Sequence, residues 1–279
     1  MHSKCRMKPN FCFSQGSRDS IIQSIIAFEM PFAPNATQLI MPNPTNGLIL
    51  QYGTPSYYSF DGVNFEQFPR FYFALPSISR KSMLLKSSGH YKALLVIFKP
   101  GIISSTFNFP LSDCSNSFII DANHIIPPKM YDRIKLIMEC RASLKDIIYQ
   151  LHSYLQNLQN PDLRSDITIQ ATNQIIAAKG IISLPSLSQQ LGISIRTLER
   201  KFKFEQGVSP NTYSRLVKHH SILREIHANR DIDWFDIVVR YKFHDRAHYI
   251  NDFKKITGIN SLLNNKYSLQ LDEKTRFEF

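Results

Sequence analysis

The stretch Gly192-Ile193-Ser194-Ile195-Arg196-Thr197-Leu198-Glu199-Arg200-Lys201-Phe202-Lys203 reads as a turn, a helix cap and a short basic helix with an apolar face. Gly192 supplies the tight turn. Ser194 caps the helix that follows, its hydroxyl accepting from a backbone N–H that has no partner within the first turn. Leu198 and Phe202, four apart, share the inward face, while Arg196, Glu199, Arg200 and Lys203 lie on the other side. Just upstream, Leu184, Leu187, Leu191 and Ile193 have the spacing of a short amphipathic helix. Two short helices that cross at a glycine, the second of them basic outside, make a helix-turn-helix. In that motif the second helix is shaped to enter a DNA major groove.

Working outward, Gly207-Val208-Ser209-Pro210 starts another helix, with Ser209 as cap and Pro210 at the first helical position. Its apolar residues are Tyr213, Leu216, Val217, Leu223 and Ile226, and it ends at the polar Asn229-Arg230-Asp231. A helix of about eighteen residues spans roughly 27 Å. Beyond it, Ile232, Trp234, Phe235, Ile237 and Val238 form a second amphipathic segment. A break at Lys242-Phe243-His244-Asp245 leads to a last short helix, Arg246 to Ile256. The plan is therefore repeated, and two recognition helices joined by one long helix suit major grooves that recur about every 34 Å on one side of a duplex.

From Ile182 to Ser261 the chain resembles the AraC/XylS family of bacterial transcription regulators. The resemblance is carried by Leu187, Gly192-Ile193-Ser194, Arg196, Leu198, Arg200, Phe202-Lys203, Gly207-Val208-Ser209-Pro210, Tyr213, Arg215-Leu216, Leu223, Ile237, Phe243, Asp245, His248-Tyr249, Phe253-Lys254-Lys255 and Thr257-Gly258. It implies double-stranded promoter DNA as partner, with RNA polymerase, a small-molecule effector and a second copy of the chain as further candidates. Activation and repression both stay open. Departures cluster in the second unit, where Val238 replaces a small residue, Lys242 the turn glycine, Asn251 the recognition-helix arginine and Ser261 a proline.

Arginine can donate two parallel hydrogen bonds to guanine, worth about 1 to 3 kcal/mol of discrimination. Arg196 and Arg200 are the first candidates for base reading. The resemblance also turns Glu199 towards the groove, where its carboxylate could accept from cytosine or pair with a neighbouring arginine. In the second unit Arg246, Ala247, Ile250 and Asn251 match the groove-facing positions, and asparagine is suited to adenine. Thr197, Lys203, Lys254 and Lys255 are candidate contacts to the DNA backbone, which position without reading sequence. His248 is a candidate for the same role or for packing its own helix.

A net charge of +11 on 279 residues favours a polyanionic partner. Residues 166–265 hold fourteen Lys and Arg against nine Asp and Glu, a net of +5, so charge alone does not locate the site. The four cysteines, Cys5, Cys12, Cys114 and Cys140, have no paired spacing and are expected as reduced thiols. Neither a secretory leader nor a bilayer-length apolar run is read, so a soluble cytoplasmic protein is expected. His90 and His124 lack the companions of a metal set, no phosphate-cradling or catalytic motif is found, and no cofactor, metal or catalytic residue is expected.

The fold class expected is α+β. A flexible tail over 1–19 precedes a mainly-β domain, sandwich or barrel-like, over 20–127, whose short apolar runs such as Phe71 to Leu75 and Ala93 to Phe98 alternate with turn residues. A helical linker over 128–165 follows, then an all-α double helix-turn-helix domain over 166–265 and a tail over 266–279. The β domain more weakly resembles the sensor domain of some family members. Phe71, Tyr72, Phe73, Tyr91, Phe98 and Phe107 serve either as walls of an effector site or as ordinary core. A ligand-free interaction module and an enzyme domain fused to a DNA-binding module are the alternative readings of this half.

Overall fold

The computed structural model describes residues 20–32, 36–76, 82–114, 119–158, 167–228 and 232–258, and the backbone of 8–14. In chain order the strands are β1 (Lys8–Ser14), β2 (Ile22–Pro31), β3 (Thr37–Ile40), β4 (Gly47–Gln51), β5 (Ser56–Ser59), β6 (Glu66–Gln67), β7 (Phe71–Ala74), β8 (Met83–Ser87), β9 (His90–Phe98) and β10 (Ile120–Asp121). They form two antiparallel sheets, ordered β1-β2-β9-β4-β7-β10 and β3-β8-β5-β6. Helices α1 (Ile102–Phe107), α2 (Pro128–Glu139) and α3 (Leu144–Gln156) accompany the sheets, with a short 3₁₀ turn at Leu111–Cys114. The described residues of the C-terminal region form helices α4 (Ile167–Ala177), α5 (Leu184–Gln190), α6 (Ile195–Gln206), α7 (Pro210–Ala228), α8 (Trp234–Arg240) and α9 (Arg246–Thr257). The class is α+β, as the sequence pattern implies.

Alternation along the strands explains the layering, because successive side chains leave opposite faces of a sheet. On one face of the larger sheet, Leu48, Leu50, Phe71, Phe73, Leu94, Val96 and Phe98 pack with Ile134, Ile137, Ile148, Leu151 and Leu155 of α2 and α3. On the other face, Met30, Tyr72, Tyr91 and Ala93 meet Phe68 and Leu85 of the smaller sheet's side. Strand β9 is buried on both faces, which is why Ala93 to Phe98 is an unbroken apolar run.

Two expectations are corrected here. The helices expected as a linker are part of the N-terminal core, since their apolar stripes cover the larger sheet. Lys8–Ser14, expected within a flexible tail, pair along β2 with a register shift between Pro9 and Phe11. Residues 1–7 and 15–19, the helix end at 229–231, Ser261 and the tail over 266–279 lie outside the described residues. Of the six aromatic side chains considered as effector walls, Phe71, Phe73 and Phe98 fill the helix-facing core, with Phe107 packed against it, whereas Tyr72 and Tyr91 lie between the sheets. The six are therefore divided between two separate core clusters. Among the described residues no helix is long and apolar enough to cross a membrane.

Candidate nucleic-acid interface

The C-terminal helices repeat one construction, with counterparts 50 positions apart in the opening helix and turn and 51 apart in the closing helix. Each unit opens with a seven-residue helix, α5 or α8, and closes with a twelve-residue helix, α6 or α9. Ser194 caps α6 by accepting from Thr197 N at 3.1 Å, and Asp245 caps α9 by accepting from His248 N at 2.7 Å. Both long helices stop at a left-handed glycine, Gly207 at φ 70° and Gly258 at φ 73°. The turns between helices also agree. Gly192 has φ 65° and Lys242 has φ 53°, and in each turn two backbone N–H groups reach back to the preceding helix: Gly192 and Ile193 to Gln189 and Ser188, Lys242 and Phe243 to Val239 and Val238. Lys242 thus holds the conformation that glycine adopts without strain.

Each unit has its own core. Leu187, Leu198, Phe202, Val208, Tyr213 and Val217 pack with Ala171 and Ile175 of α4 in the first. Ile222, Leu223, Ile237, Tyr241, Phe243, Tyr249 and Phe253 form the second. Buried side chains of this kind contribute about 1.5 to 3 kcal/mol each, so both recognition helices are anchored by their inner faces. Helix α7, capped by Ser209 through Thr212 N at 3.1 Å, belongs to both cores.

The outer faces carry the residues expected at DNA. Arg196, Glu199, Arg200 and Lys203 on α6 are exposed and, at steps of three and four, share a side. Arg246, Ala247, His248, Asn251, Lys254 and Lys255 on α9 are exposed as well, and Ile250 is half-buried. Among the described residues none of the cations Arg196, Arg200, Lys203, Lys254 and Lys255 is ion-paired, and Glu199 takes no neighbouring arginine. Arg246 lies 6.0 Å from the Trp234 ring centroid, at the edge of cation–π range. Two candidates have local engagements. Thr197 is half-buried with its hydroxyl 2.9 Å from that of Ser194, and the His248 Nδ1 accepts from the His244 backbone N–H at 3.2 Å. Phe204, 47% exposed, extends the outer face of α6 one turn past Arg200 and carries no charge that draws attention in the sequence.

The N-terminal region reaches both units at corresponding places. Asn46, just before β4, donates from Nδ2 to the Gln206 Oε1 at 2.7 Å, and both side chains are buried. Helix α1 and the Leu111–Cys114 turn flank α6 there. At the second unit, Ser82 donates its backbone N–H to the Thr257 carbonyl at 2.9 Å, and Met41 joins the buried core. Gln206 and Thr257 are the last residues of the two recognition helices. No sequence period announces these contacts, because each joins residues far apart along the chain.

Residues 187–260 match the family model described as Helix-turn-helix domain, a helix-turn-helix of the AraC type. The chain is similar to the solved structure of ToxT from Vibrio cholerae O395 at 8% identity, over 85% of this chain and 95% of that one, with a TM-score of 0.46. It is similar to unsaturated fatty acid bound wild-type ToxT from Vibrio cholerae strain SCE256 at 7% identity, over 85% and 92%, with a TM-score of 0.45. The AraC-like transcriptional activator CuxR is similar at 10% identity, over 72% and 76%, with a TM-score of 0.29. No curated protein matches the chain.

Proposed function

We propose that this chain, AraC-type in its C-terminal helix-turn-helix domain, is a sequence-specific transcription regulator that sets α6 and α9 into neighbouring major grooves of promoter DNA. The observation that carries the reading is the repeated unit, twice presenting a capped twelve-residue helix whose inner face is buried and whose outer face holds exposed cations. Arg196 and Arg200 read guanine edges through paired donors, Glu199 accepts from cytosine, and Asn251 pairs with adenine. Arg246 joins them at the entrance of α9, and Ala247 and Ile250 offer apolar contact to thymine methyl groups. Thr197, Lys203, His248, Lys254 and Lys255 hold the phosphates. The function is exercised in the cytoplasm and involves no reaction at the N-terminal sheets.

The N-terminal region is the regulatory part in this reading. Its contacts at Gln206 and Thr257 give an effector or a second copy of the chain a route to both recognition helices. Such a signal changes DNA affinity only as far as it favours one arrangement over another, so a tenfold response corresponds to about 1.4 kcal/mol of differential binding. The test is Arg200→Ala, compared on a selected site and on random duplex at one salt concentration. A loss of about 1 to 3 kcal/mol on the selected site, with relaxed preference at one base pair, is expected. Equal weakening on both duplexes assigns Arg200 to a phosphate instead.

A further inference from the structure

Helix α7 serves two cores in succession. Tyr213 and Val217 belong to the first, Ile222 and Leu223 to the second. Apolar packing holds each unit to its own half of α7, and such packing is non-directional. Something more specific is needed to fix the rotation of one unit against the other. At the boundary between the cores, two side chains of α7 converge on one carboxylate of α9. Arg215 donates to Asp252 Oδ1 from Nε at 3.0 Å and from its terminal nitrogen at 2.5 Å. His219 meets Asp252 Oδ2 at 2.7 Å from Nε2, with its ring among Phe243, Tyr249 and Phe253.

The hub reaches across the boundary. Arg215 lies between first-core residues of α7, while Asp252 adjoins Asn251, a groove-facing position of the second recognition helix. The 51-residue correspondence puts Lys201 at the matching place in α6, where it pairs with Glu205 on its own helix at 3.3 Å. Among the described residues the matching place in α6 thus holds a cation paired within its own helix instead of a carboxylate, and the repeat alone does not account for the hub. Burial opposes ionisation of Asp252, but the hydrogen bonds and charges of His219 and Arg215 outweigh it and draw its carboxyl down to about 2. A carboxylate accepting from two partners in fixed directions has the geometric specificity that apolar contact lacks.

We infer that Asp252, held by Arg215 and His219, is a positioning residue that fixes the angular phase of the second recognition helix relative to the first, and thereby sets the spacing between the two DNA elements the chain accepts. This rests on the DNA-binding reading above. Asp252 itself touches no DNA; it acts through the α9 residues on either side of it.

The test uses the full chain and duplexes in which the two selected elements are moved together or apart one base pair at a time. The native chain prefers one spacing. Asp252→Asn, close in shape but uncharged, lowers discrimination against the neighbouring spacings by about tenfold, equivalent to about 1.4 kcal/mol, while preference within the first element is unchanged. Arg215→Lys, which keeps the charge but loses the fork, does the same and serves if Asp252→Asn does not fold. An unchanged spacing profile in a folded variant overturns the inference and leaves the cluster a matter of stability alone. If the native chain itself enriches no element, the DNA reading fails and takes the inference with it.

Discussion

At the scale of single residues, Lys242 shows most plainly how local backbone geometry and chemistry can part. Its φ of 53° matches the turn that Gly192 makes at 65°, yet lysine carries a Cβ that crowds the carbonyl in this region. The strain amounts to about 1 kcal/mol, partly offset in any glycine variant by a more flexible unfolded chain. Lys242→Gly is therefore expected to raise the melting temperature by a few degrees, since about 1 kcal/mol moves a domain of about 100 residues by roughly 4 to 8 °C and only part of the strain is gained. A lower melting temperature would show that Lys242 makes contacts worth more than the strain. Lys242 was legible as the turn position because a turn within a repeat has a fixed place. Asp252 was not, because its partners Arg215 and His219 are thirty-seven and thirty-three positions away and nothing in a helical period names them.

At the scale of elements, helix signals are local, and α5 to α9 were readable from caps, spacing and turn residues within a few positions of each other. Strand β1 was not, because a strand is held by its neighbour and the pairing of Cys12 with Ile26 leaves no mark near Cys12. The stripes of α2 and α3 were visible, but a stripe does not say what covers it, and the cover is the larger sheet. Helix α7 makes the element-scale prediction. Burial lowers the pKa of His219, only partly opposed by Asp252, and burial with the Arg224 charge pushes His220 down to about 4. In the unfolded chain both titrate near 6.5. Below that value the unfolded state binds more protons than the folded one, so stability is present above about pH 6.5 and is lost as pH falls towards the folded values. The melting temperature is expected to drop between pH 7 and 5, and less steeply in His219→Gln. An equal slope in that variant would remove His219 as a source.

At the scale of the whole molecule, the chain joins a layered sheet region to two helix-turn-helix units, and the joints lie at the two residues that end the recognition helices. On the function proposed above, a region that holds α6 at Gln206 and α9 at Thr257 can change DNA binding without touching DNA. The outer faces supply the other half of the account, with Arg196 and Arg200 in one unit and Asn251 beside Arg246 in the other. If both units read bases, the accepted site must contain two elements whose separation follows the helical repeat of DNA. The most direct test is selection of bound sequences from a random duplex library by the full chain at one fixed salt concentration. Two enriched elements about one helical turn apart, roughly 34 Å, are expected; a library that emerges with no enriched element would contradict sequence-specific recognition by this chain.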